Sequence, residues 1–284
     1  MALTRYSASA VDKYSYAYAD DPLVTGFIAQ SSMGDSSIGA AIDPSGSNFT
    51  YVAEALGCSG DQEEIFSCMQ ELPASNIIGI YNKYNASSNG GRSLSFAPKA
   101  DNITSFANYT DLQVRGQFAR LPILIAQVNN EAASLVAYNA SDLDGPSEAA
   151  VDAASCGLAT IPGERGASAR HAFGVPVYRS RYFGTFPNLN PLSWLGAYHS
   201  SDMPLIFGTS DLRGPSTDIE IQTSQYMQGA WVAFAKDPFN GLSNYGWPEY
   251  DPVNGEGLVK LGSEGNVGAV LDNGQRFKEA CEAS

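Results

Sequence analysis

The chain has only two histidines, and one of them stands where a proton-transfer group can work. His199 lies in GAYHSSDMPLIFG, a loop between an apolar strand pattern and a short hydrophobic segment. A base in such a connection can reach a nucleophile held on a different loop; the bland reading is a solvated or structural imidazole. Glu131 follows the apolar run LPILIAQ in VNNEAA, at the carboxyl end of a strand pattern, the edge where open α/β sheets place functional groups. A carboxylate there can orient an imidazole through its second nitrogen and stabilise the imidazolium. The alternative for Glu131 is a solvated carboxylate or a helix N-terminal cap.

A nucleophile is harder to place. No G-x-S-x-G occurs, the motif whose glycines let a strained strand-to-helix turn expose a serine hydroxyl. Ser9 in SASAV lacks both flanking glycines, and Ser36 and Ser37 in GDSSIG sit one residue out of that spacing. Ser31 closes the strand pattern GFIAQSS, a place better suited to supporting an acid than to attacking a carbonyl. His171, in ARHAFGVP, has no acidic or cysteine partner at metal-ligand spacing and reads as structural. Two histidines and four cysteines form no zinc pattern, so neither a metal nor a cofactor is expected.

The cysteines point instead to an oxidising compartment. Their number is even, and Cys58 and Cys68 are close enough to close a small loop, which leaves Cys156 and Cys281 to pair across a long one; the other reading is four buried thiols. Asn-x-Ser/Thr sequons at Asn48, Asn85, Asn102, Asn108 and Asn139 are candidate glycosylation sites. A net charge of -14 repels nucleic acid and anionic membrane surfaces and favours a neutral or cationic substrate. No stretch approaches the roughly 18 apolar residues of a membrane span, so no stable membrane insertion is expected.

These residues need a scaffold, and the apolar periodicity supplies one. Strand patterns fall at Val24 to Gln30, Leu121 to Gln127 and Val175 to Phe183, with two shorter ones in GLVKLG and VGAVLD near the end. Helix patterns fall at Ser7 to Ala19, ended by Asp20-Asp21-Pro22, and at Phe49 to Leu56, Asp61 to Glu71 and Ser75 to Tyr84. Others follow near Pro146 to Gly157 and Gly163 to Phe173, and a long one begins at the cap Thr217 and stops at Asp237-Pro238. Asn85 to Gly116 reads as a surface loop and the last residues as a polar end. The alternation predicts an α/β fold.

With these elements in place, the sequence resembles a known family. FARLPILIAQVNNEAASL is similar to the strand-turn segment that carries the acidic triad residue in type-B carboxylesterases, lipases and cholinesterases, and GAYHSSDMPLIFGT to their histidine loop. Further likeness runs through GFIAQSS, the helix pair around GC and SCMQELP, VPVYRSRYFGTFPN, MQGAWVAFAKDPFNG and GWPEYDP, and looks nearest to secreted fungal members. The resemblance implies a partial α/β-hydrolase fold, the C-terminal strands with flanking helices, as a single domain over residues 1–284 with a helical subdomain at about 49–84. It implies Glu131 as triad acid, His199 as general base, Cys58–Cys68 as a family disulfide, and a small-molecule or lipid ester as substrate of the complete protein.

The family's stretch after its serine turn corresponds to SASAVDKYSY, which puts the nucleophile position near Arg5 in MALTRY, without glycines. The expectation is a carboxylic ester hydrolase family member that keeps the acid and histidine but lacks the serine turn, its preceding strands and the oxyanion loop, and is inactive as it stands. The alternative is a non-catalytic remnant or a binding module on an esterase scaffold. The resemblance implies that the complete protein is secreted, yet MALTRYSASAVDKYSYAYADDP shows neither the basic patch nor the apolar run of an export signal. A truncated pseudoenzyme is therefore the expected state.

Overall fold

The computed structural model describes residues 7–31, 33, 45–86, 94, 96, 100–139, 144–263 and 265–283, with residues 7, 85 and 86 described in backbone only. In chain order the elements are α1 (Ser7–Ala17), β1 (Phe27–Gln30), α2 (Ser47–Ala55), α3 (Gln62–Glu71), α4 (Ala74–Ala86), α5 (Tyr109–Val114) and β2 (Ile123–Val128). They continue with α6 (Glu148–Ser155), a π-turn (Cys156–Thr160), α7 (Ile161–His171), β3 (Val177–Tyr182), α8 (Met203–Ile206), α9 (Asp218–Lys236), α10 (Gly241–Asn244), β4 (Leu258–Leu261), β5 (Val270–Asp272) and α11 (Gln275–Ala283). Two compact units divide the chain, one of Ser36–Ala107, the other of Met1–Asp35 with Asn108–Ser284.

The larger unit is built on a five-stranded sheet in the order β1-β2-β3-β4-β5, parallel except for the β4–β5 pair. Successive side chains of a strand point to opposite faces, so the wholly buried hexamer ILIAQV of β2 feeds two cores. Leu124, Ala126 and Val128 join Met227, Ala230, Trp231 and Phe234 of α9 on one face. Ile123 and Ile125 join Phe27, Val177, Ala8 of α1 and Ala167 of α7 on the other. Such two-sided burial is what a parallel sheet flanked by helices requires. Helix α9 starts where its sequence says, with Thr217 accepting from the Glu220 N–H and Glu220 accepting from the Thr217 N–H, a capping box.

The smaller unit holds α2, α3 and α4 around Val52, Ala53, Met69 and Leu94, with a Cys58–Cys68 disulfide joining the end of α2 to α3. Asp61 and Glu64 cap α3 reciprocally. The helical stretch expected at about 49–84 falls within this unit.

Four details differ from the sequence reading. The two alanine-rich helices are one continuous run through the π-turn at Cys156–Thr160, where the Ile161 N–H reaches back to Cys156 O and the wider turn carries the chain past Pro162 into α7. Residues 109–114, read as loop, form α5, capped by the Asn108 side chain. The hydrophobic segment MPLIFG contributes the short α8. The polar end is helix α11, tied by Cys281 to Cys156 and packed through Phe277. Among the described residues no helix is long and apolar enough to cross a membrane.

The face of α1 and α7 also buries an ion pair: Arg170 Nη2 donates to Asp12 Oδ1 and, at 3.1 Å, to Ser15 Oγ, with both charged side chains at 0% exposure. Removing one partner strands the other charge. The substitution Asp12→Ala is expected to lower the unfolding free energy by roughly 3–5 kcal/mol in urea titrations, whereas a loss near 0.5 kcal/mol, typical of an exposed pair, would contradict this role.

Candidate active site

Glu131 and His199, 68 positions apart in the chain, meet at the carboxyl edge of the sheet: His199 Nδ1 lies 2.7 Å from Glu131 Oε2. Each is placed by its own strand end. After Val128 the chain turns, with the Asn129 N–H donating to Tyr182 O at 2.8 Å and the Asn130 N–H to Ala197 O at 2.8 Å. Asn130 and Tyr198 form a parallel bridge, so the acid turn and the histidine loop run side by side. Glu131 is completely buried and folds back on its own strand, where Oε1 accepts the Val128 N–H at 2.9 Å. One residue on, the Ala132 N–H donates to Ser155 Oγ at 3.0 Å, which fastens the turn to the end of α6. Arg181 on β3 braces it from the other side, donating to Asn129 Oδ1 at 3.0 Å and Asn129 O at 3.1 Å. Burial, with the neighbouring charge of Arg179, pulls Arg181 down to about 10, so it stays charged at neutral pH.

The histidine loop is equally constrained. Gly196 has φ +56°, and a Cβ there would lie 2.5 Å from Asn130 Nδ2, so only glycine fits between the two turns. Ser200, next to the histidine, has φ 69°, and the Ser201 N–H closes the turn on Tyr198 O at 2.9 Å. The Tyr198 hydroxyl donates to Leu189 O at 2.9 Å.

A carboxylate can only accept, so Nδ1 carries the proton facing Glu131 and the Nε2 lone pair is left for chemistry. Nε2 is buried and has no hydrogen-bond partner among the described residues. An imidazole held in this tautomer by a carboxylate can take a proton at Nε2 and return it.

Of the serines weighed as nucleophiles, Ser9 is half-buried in α1 and Ser31 is buried at the end of β1 with φ 71°, its N–H on Ala126 O at 2.7 Å. Neither bonds His199 Nε2. Ser36, Ser37 and Arg5 lie outside the described residues. The four cysteines form the Cys58–Cys68 and Cys156–Cys281 disulfides. Asn102, Asn108 and Asn139 are exposed and Asn48 partly so, while the side chain of Asn85 is outside the described residues. His171 is exposed at the end of α7. Among the described residues no group of three His, Cys, Asp or Glu side chains is placed to hold a metal ion.

The sequence reading missed Asp202. It is fully buried three residues after His199, in the H-S-S-D stretch that was its one visible signal. Burial, reinforced by the charge of Glu131, pushes its carboxyl from 3.8 up to about 7.

A sheet parallel but for β5, with helices on both faces, defines an α/β fold, and a carboxylate–imidazole pair stands at its carboxyl edge. The architecture matches a solved thermophilic PNB esterase with a TM-score of 0.71 at 19% identity, over 97% of this chain and 60% of that one. In sequence the chain is similar to secreted lipase 5 of Gibberella zeae, 34% identical over 92% of this chain and 51% of the lipase. It is likewise similar to chlorogenic acid esterase of Aspergillus niger, 35% identical over 96% of this chain and 55% of the esterase. A shorter match, 30% identical over 41% of this chain and 19% of the relative, is carboxylesterase 1E of Rattus norvegicus. No protein-family model matches the chain. By these likenesses the chain belongs to the carboxylesterase/lipase family, and it spans about half the length of the lipase and of the chlorogenic acid esterase.

Asp202 generates a prediction for stability. An acid whose folded pKa lies above its unfolded value binds its proton more tightly when folded, so the stability it contributes is complete below the ordinary Asp range and is lost as pH rises from about 4 to about 7. Between about pH 4 and pH 8, the stability that Asp202 withdraws is on the order of 4 kcal/mol, read in urea titrations as the difference in pH dependence between the unmodified chain and Asp202→Asn; an unchanged pH dependence in Asp202→Asn would contradict it.

Proposed function

We propose that this chain carries the proton-transfer part of a carboxylic ester hydrolase, with Glu131 as the triad acid and His199 as the general base. The observation that supports this reading is the 2.7 Å contact between His199 Nδ1 and Glu131 Oε2, made by a fully buried carboxylate. In the reaction a serine oxygen bonds to the acyl carbonyl carbon while its proton passes to Nε2. Glu131 stabilises the imidazolium, and the same proton then goes to the departing alkoxide as the ester C–O bond breaks. Water repeats the cycle to release the acid. A binding module on this scaffold would have no use for a buried carboxylate–imidazole pair, whose desolvation is offset only by its own hydrogen bonds.

The substrate class is a small-molecule or lipid ester, in keeping with relatives named as a lipase and a chlorogenic acid esterase, and a net charge of -14 favours a neutral or cationic one. The 284 residues hold no G-x-S-x-G, and on this reading the chain alone does not turn over ester. A relative named a secreted lipase, two disulfides and the sequons favour an extracellular setting with glycans at Asn48, Asn85, Asn102, Asn108 and Asn139. Asn108 can carry one and still cap α5, because the cap uses Oδ1 and a glycan uses the side-chain nitrogen.

Two experiments test this. A fluorophosphonate probe should leave the purified chain unlabelled, and a stoichiometric adduct on Ser9, Ser31, Ser36 or Ser37 would overturn the inactive state. Fusing to this chain the part of the 34% identical lipase that it does not match should yield ester hydrolysis, which His199→Ala reduces by about 10³-fold or more; a folded fusion whose rate ignores His199 would overturn the assignment of the base.

A further inference from the structure

Behind the histidine loop lies a polar relay that the acid–base pair does not use. The Trp231 indole N–H on α9 donates to Gln30 Oε1 at 2.8 Å, and Gln30 Nε2 at the end of β1 donates to Asp202 Oδ2 at 3.0 Å. An indole nitrogen can only donate, so it fixes which way the Gln30 amide faces and presents its NH₂ end to the carboxyl. All three side chains are at or below 9% exposure. The other carboxyl oxygen, Oδ1, is buried with no partner among the described residues. Asp202 thus has fewer donors than a buried carboxylate needs. It belongs to the same tight turn as His199, since the Met203 N–H donates to Ser200 O at 3.2 Å and the Ser201 N–H to Tyr198 O at 2.9 Å.

We propose that Asp202 is a positioning residue for His199, a second carboxyl behind the histidine loop that sets how tightly the imidazole holds its proton, with Gln30 and Trp231 fixing its orientation. This deepens the acid–base reading above and rests on it for its catalytic meaning. The titratable groups that act on Asp202 are Glu131 from the β2 turn and His199 from its own loop. Tyr182 of β3 also senses it, together with Glu220 of α9 and Tyr198, and burial keeps that phenol protonated. The two neighbours act in opposite senses: the charge of Glu131 drives a proton onto Asp202, and a protonated His199 drives it off. By reciprocity an ionised Asp202 draws the proton to His199, and a neutral one releases that hold.

The test reads the imidazole directly, without turnover. The intact chain is labelled with ¹³C,¹⁵N-histidine and its two imidazoles followed by NMR against pH, with exposed His171 as the internal reference. Asp202→Asn should abolish the inflection that His199 shows where Asp202 ionises, at about 7, and leave His171 in place; Gln30→Leu, which makes Asp202 harder to ionise, should move that inflection to higher pH. A folded Asp202→Asn whose His199 curve is unchanged would overturn the proposal. Should that variant not fold, the unmodified chain decides: His199 should show a second inflection where Asp202 ionises, at about 7, and a single-site curve would overturn the proposal. Because no ester is involved, a fusion that fails to hydrolyse leaves this titration intact, and the two failures separate.

Discussion

The constraint on which this site depends is a negative charge with no access to water. Glu131 has 0% exposure at the end of a strand buried on both faces, and an isolated carboxylate in such surroundings would neutralise or unfold its neighbourhood. It is tolerated because both oxygens are occupied, one by the Val128 N–H and the other by His199 Nδ1. Everything around it serves that pairing. Ser155 and Arg181 hold the turn from two sides, and the Cβ-free Gly196 lets the histidine loop come close enough for Asn130 and Tyr198 to bridge.

The parallel sheet explains why two residues so distant in sequence meet at all. Strands β2 and β3 run in register from Ile123↔Val177 to Val128↔Tyr182, so the segments leaving their carboxyl ends emerge side by side, and a group on each can converge there. Beneath this edge a second polar layer ties β2 and β3 to α7: Arg179 donates to Glu164 and to Gln127 Oε1 at 2.7 Å, and the Tyr250 hydroxyl donates to Glu164 at 2.7 Å. Charged pairs of this kind often add less net stability than apolar packing of the same volume, and these tie two strands and a helix to one another. A site whose acid and base ride on separate loops needs that fixity.

Part of this arrangement is legible in the sequence. The apolar hexamer and its polar turn located the strand end that carries Glu131, and the family resemblance singled out His199. Asp202 was not legible in its role, because its meaning depends on Gln30, 172 positions away, and on a burial that neighbouring serines disguise. Helix α11 reads as polar because no residue of it is buried; the disulfide through Cys281 and the contact of Phe277 hold it in place, and only the cysteine was a visible clue. Helix α5 hid behind the sequon at Asn108, whose side chain is also a helix cap. Pro162 and Gly157 look like helix breakers, yet a π-turn absorbs the extra residue and the helix continues. Local signals mark where elements start; long-range partners decide what a polar residue does.

The central claim is that Glu131 holds the His199 imidazole with its proton on Nδ1. The direct measurement is the downfield proton spectrum of ¹⁵N-histidine-labelled chain at neutral pH. The account predicts a slowly exchanging proton bonded to Nδ1 of His199, shifted far downfield and lost in Glu131→Ala. A proton on Nε2 in its place, or an Nδ1 proton that survives the removal of Glu131 unchanged, would contradict it.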